Sequence, residues 1–123
     1  MQLTGLQITA LLRMGLTMAF ADGEFQEEEK VILCIELMKF GVQPDAAKNF
    51  METAVTMDND VAVGILKNMT TEQKKYATAY LAIIMAADGK IHPDEMKVWQ
   101  VVSTICNFPT MRLNEALNFW KTH

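Results

Sequence analysis

Asp22-Gly23-Glu24-Phe25-Gln26-Glu27-Glu28-Glu29 returns 66 residues later as Asp88-Gly89-Lys90-Ile91-His92-Pro93-Asp94-Glu95. Both copies read D-G-x-(apolar)-x-x-(acid)-E, and both follow an Ala-rich apolar run, Met18-Ala19-Phe20-Ala21 and Met85-Ala86-Ala87. Glycine after such a run supplies the left-handed residue that ends many helices. Acids just beyond it suit the positive end of the next helix. Each copy therefore predicts a helix, a tight corner and a second helix.

Working outward, the helical spacing of apolar residues predicts about seven helices and no strands. The first spans about 4–21 and the second about 26–40, with an interior (Val31, Ile32, Leu33, Ile35, Leu37, Met38) apolar enough to be largely buried. The third starts at Pro44, a favoured first helical residue, and a short fourth covers 60–69. Thr70 or Thr71 caps the fifth, which runs to Ala87. The sixth opens at His92-Pro93-Asp94-Glu95 and ends near Asn107, and Phe108-Pro109 starts the seventh. The first and fifth are apolar nearly all round and belong at the centre. The fold class is all-α: one compact bundle over residues 1–123, with an internal pseudo-two-fold repeat of helical hairpins that cover each other's apolar faces.

Composition narrows the function classes. Fifteen acids against eleven bases, with Lys74-Lys75 the sole adjacent basic pair, leave no patch for a phosphate backbone, so nucleic acid is not expected. Apolar runs such as 76–87 are too short to span a bilayer, and Met1-Gln2-Leu3-Thr4 lacks the charged start of a signal peptide. A cytoplasmic protein without membrane insertion is expected. Cys34 and Cys106 lie in apolar helical runs without C-x-x-C spacing and read as buried free thiols. Trp99 and Trp120 read as core. No phosphate loop, H-E-x-x-H or nucleophile–base pair is visible, so no enzyme is expected.

The corner phrase matches the closing half of an EF-hand calcium loop. Its opening ligands would fall on Met18 and Phe20, or on Ile84 and Ala86, none of which ligates calcium. An EF-hand is excluded, and a half-site remains at each corner. Asp22 and Glu29 in one, Asp88 and Glu95 in the other, with carbonyls at Glu24 and Lys90, would give six oxygens if the corners meet. That donor set suits a hard divalent cation, calcium above all. Glu28 and Asp94 lie about 100° around their helices and point elsewhere. The alternative is purely structural: Asp-Gly turns, Phe25 and Ile91 as staples, and early glutamates as caps.

Two hairpins with A-D-G-x-(apolar)-x-x-x-E corners, 66 residues apart, resemble the TerB-like family, from about Leu6 to Trp120. That family is named for a tellurite-resistance protein, and related domains occur in membrane-anchored DjlA-type co-chaperones. The resemblance implies a helical fold with an acidic, cation-binding centre at Asp22, Glu29, Asp88 and Glu95. It implies no enzymatic activity, and a stress-response role with protein partners. This chain differs from some relatives in having no evident membrane segment or J-domain.

Overall fold

The computed structural model describes residues 2–21, 27–87 and 89–123. Helix α1 (Gly5–Ala19) starts with a capping box, in which Thr4 Oγ1 accepts from the Gln7 backbone N–H and Gln7 Oε1 accepts from the Thr4 N–H. Helix α5 (Thr71–Ala86) starts in the same way, with Thr70 and Gln73 in the two roles. The capping residue is thus Thr70, not Thr71. The two boxes lie side by side, with Gln73 Nε2 3.5 Å from Gln7 Oε1.

These two helices hold the core. Ten residues of α1 and nine of α5 are buried, among them the fully enclosed Ile8, Leu11, Leu12, Met14, Met18, Tyr80, Leu81 and Met85. Around them lie α2 (Glu27–Glu36), α3 (Pro44–Thr56), α4 (Asn59–Lys67), α6 (Pro93–Ile105) and α7 (Leu113–Thr122). Helix α1 packs mainly on α3 and α4, and α5 mainly on α7. Arg13 of α1 fastens the α3–α4 junction by donating to the Val55 carbonyl at 3.0 Å and to Asn59 Oδ1 at 2.9 Å. Helix α7 docks through aromatic rings, with Trp120 edge-on to Phe40 and Tyr80 and its indole N–H donating to Glu36 Oε2 at 2.9 Å. The described residues form seven α-helices and no strand, the all-α bundle expected.

Three expectations need correction. The outer side of the second helix is not buried: Val31, Ile35 and Met38 are each about half exposed, at 54%, 51% and 49%. Neighbours cover α2 on its Leu33 side and leave the opposite stripe to solvent. Cys34, on the same helix, is half-buried, whereas Cys106 is fully buried. The seventh helix starts at Leu113 because α6 ends in a left-handed Asn107 (φ 58°), after which Phe108 is buried and residues 109–112 take no regular structure. The α2 arm likewise ends through a short 3₁₀ turn, Leu37–Phe40, in a left-handed Gly41 (φ 81°), 66 residues before Asn107.

Candidate functional site at the corners

Helix α5 ends at Ala86, and the backbone N–H of Gly89 returns to the Ala86 carbonyl at 3.0 Å. Gly89 has φ 81°, the left-handed geometry expected of it. His92 is the extended N-cap residue of α6, Pro93 opens the helix, and Asp94 and Glu95 occupy its first turn. Glu95 is only 8% exposed, with Oε1 3.9 Å from His92 Nε2. At the other corner, Glu27, Glu28 and Glu29 form the first turn of α2, and Glu27 pairs with Lys30 at 3.3 Å.

Glu29 and Glu95 line one small cavity of about 30 Å³, walled by Ile32, Ile84, Met85 and Ala87. That is room for a group of about the size of a water molecule or a small cation. Two ionised carboxylates facing one small space repel one another, and a cation or a proton between them relieves that repulsion. Glu28 and Asp94 are exposed, in keeping with their position around the helix. Asp22 and Asp88 lie outside the described residues, as do the Glu24 carbonyl and the Phe25 staple; the Lys90 backbone is described, and its side chain is exposed. Ile91 is 40% exposed. Among the described residues no group of three or more His, Cys, Asp or Glu gathers to hold a metal ion.

The two glutamates are positioned from α5. One turn beyond Glu29, the carbonyl of Leu33 accepts a hydrogen bond from the buried Tyr80 hydroxyl. One turn beyond Glu95, the indole N–H of Trp99 donates to the Thr78 carbonyl at 3.2 Å. Leu33 and Trp99 are themselves 66 residues apart. These anchors escape a reading by hydrophobic pattern, because Tyr80 and Trp99 score simply as apolar. The available signal is that a buried hydroxyl or indole N–H needs an acceptor. Burial pushes the Tyr80 phenol well above its ordinary range, reinforced by the charges of Cys34 and Glu36. Gly15 completes the seat of α2: a Cβ there would stand 2.7 Å from Leu33 Cδ2.

Away from the corners, burial raises the Cys106 thiol to about 11 against the opposing pull of Lys74 and Lys67. Burial also raises Cys34, opposed by Lys48. Neither is poised as a thiolate nucleophile. No described helix is long and apolar enough to cross a membrane.

No curated protein matches the chain. A solved structure, that of a protein of unknown function from Porphyromonas gingivalis W83, is similar with a TM-score of 0.89 and 34% identity. The similarity covers 99% of this chain and 92% of that one. The family model described as tellurite resistance protein TerB matches residues 9–118, which include both corners and all four candidate acids. The chain belongs to the TerB family.

Proposed function

We propose that this chain is a non-enzymatic, cytoplasmic TerB module whose two corners jointly hold one divalent cation, calcium by preference. In this reading Asp22, Glu29, Asp88 and Glu95 supply carboxylate oxygens, and the module docks a protein partner in a stress-response setting. The observation that carries the cation reading is the shared cavity of Glu29 and Glu95. It is supported by the recurrence at 66 residues of the capping boxes and of the left-handed residues Gly41 and Asn107. A duplicated hairpin would account for that recurrence and would bring equivalent acids together. Two carboxylates provide at most four oxygens, and calcium takes 6–8, so the remaining ligands fall to the aspartates, backbone carbonyls and water. The stress-response setting and the partner rest on family membership alone.

The His92–Glu95 contact favours a second reading, in which the acids are satisfied locally and serve as helix-start residues only. Thermal melting with calcium, magnesium, manganese or zinc separates the two. A cation at a hundred times its dissociation constant adds about 2.7 kcal/mol of stability. The shift should vanish in Asp22→Asn/Asp88→Asn and in Glu29→Gln/Glu95→Gln. No shift with any cation, or an equal shift in both double variants, leaves the purely structural reading.

A further inference from the structure

Helix α2 carries an apolar stripe that faces away from the core. Val31 and Ile35, at i and i+4 on α2, and Met38, in the 3₁₀ turn that follows, are each about half exposed and extend this stripe as a ridge along the α2 arm. Between α2 and α3 runs a groove of about 380 Å³ lined by Cys34, Pro44 and Met51, with Val31 and Ile35 of the ridge as its α2 wall. Ridge and groove therefore share a helix. An apolar ridge alongside an apolar groove is the layout that a two-fold axis makes self-complementary, because the ridge of each copy fills the groove of the other.

The charges on the groove favour the same occupant. Lys30 is engaged with Glu27 at 3.3 Å, whereas Lys48 and Glu52, one turn apart on α3, form no ion pair among the described residues. Lys48 lies toward the end of the groove where α3 starts, and Glu52 lies one turn further along the helix. A partner of uniform charge would meet one of them unfavourably. A second copy, reversed by a two-fold axis, brings its glutamate to this lysine and its lysine to this glutamate.

We propose that the α2–α3 face is a homodimer interface, with the Val31–Ile35–Met38 ridge of each copy seated in the α2–α3 groove of its partner. Lys48 faces the partner's Glu52, and the reverse contact follows by symmetry. Cys34 lines the groove and becomes shielded, while Cys106 is buried in either state. The dimer does not require the corner cation, so it forms equally in chelator and in calcium.

Sedimentation velocity across the micromolar-to-millimolar range tests the proposal, with alkylation of Cys34 by iodoacetamide as a second readout. The wild-type chain should pass from the 13.9 kDa species to twice that mass as concentration rises. Alkylation of Cys34 should slow over the same range. Val31→Lys/Ile35→Lys should stay monomeric with unchanged circular dichroism, since both side chains are solvent-facing. Lys48→Glu or Glu52→Lys alone should raise the dissociation constant about three- to tenfold, from two symmetry-related contacts of rim strength. Combining the two reversals should restore it to within about twofold. A chain that is monomeric throughout overturns the proposal and leaves the face to a different protein. So does a dimer indifferent to both the ridge and the charge reversals.

Discussion

Replacing Gly15 with alanine sets two effects of opposite sign against each other, and the structure decides between them. In an exposed helix interior, Gly to Ala stabilises by about 1 kcal/mol through backbone entropy. At Gly15 the new methyl would stand 2.7 Å from Leu33 Cδ2, with Leu81 Cδ2 at 3.8 Å and Tyr80 Cε2 at 4.0 Å behind it. Leu33 is fully enclosed and its own carbonyl is held by Tyr80, so its side chain has little room to retreat. Overpacking of this kind costs about 1–3 kcal/mol. The net expectation for Gly15→Ala is a loss of about 1–2 kcal/mol, read as a lower urea midpoint with an unchanged slope. Leu33→Ala alone should cost about 2–5 kcal/mol. In the double variant the two methyl demands no longer conflict, so Gly15→Ala should become neutral or stabilising, a coupling of about 1–3 kcal/mol. Gly15→Ala that stabilises the wild-type background, or a strictly additive double variant, would refute the close seat of α2 against α1. Since Leu33 lies one turn beyond Glu29, the same variant should also weaken any cation-induced melting shift.

Two further outcomes follow from buried polar groups. Tyr80→Phe removes the donor to the Leu33 carbonyl and should cost about 1–2 kcal/mol in urea unfolding, and a neutral result would show that the carbonyl is satisfied without it. The Cys106 thiol, raised from 9.0 to about 11, contributes stability that is complete below the unfolded-state value near 9 and is lost as pH rises through about 11. The loss over that window is about 2–3 kcal/mol, so unfolding measured between these two values should fall more gently in Cys106→Ala than in wild type. Parallel slopes would remove Cys106 from the alkaline response.

Much of this architecture could be read from local chemistry. A threonine, Thr70 or Thr71, marked the start of α5, Pro44 and Pro93 opened their helices, and Gly89 closed a corner; the glutamines that complete the capping boxes escaped that reading. The central place of α1 and α5 followed from their apolar character on every side. Helix α2 misled for the same reason. Hydrophobic content tells how much surface a helix would gain by burial, but not whether a neighbour exists to cover it. Val31 and Ile35 have the same residue types as core positions and still face solvent. The start of α7 was missed because Phe108 is anchored by burial, not by helix, and the actual start uses Glu115 Oε1 to accept from the Arg112 N–H at 3.2 Å. At the corners, the shared phrase marks Glu29 and Glu95 as like positions in the sequence. Their common cavity depends on α5 passing between α2 and α6, a long-range arrangement that no local spacing encodes.

The adjacent capping boxes of α1 and α5 have an electrostatic consequence. Helices that begin side by side, fifteen and sixteen residues long, run about 22–24 Å and carry their carbonyl-rich ends toward the same end of the molecule. Each such end is equivalent to about half a negative charge. Neither helix places a basic residue in its last turn to balance it. The corners thus bring two negative helix ends beside the positive starts of α2 and α6, so the backbone contributions oppose one another and the glutamate side chains set the sign. Converting Glu29 and Glu95 to glutamine would therefore remove most of the attraction of that end for positive charge.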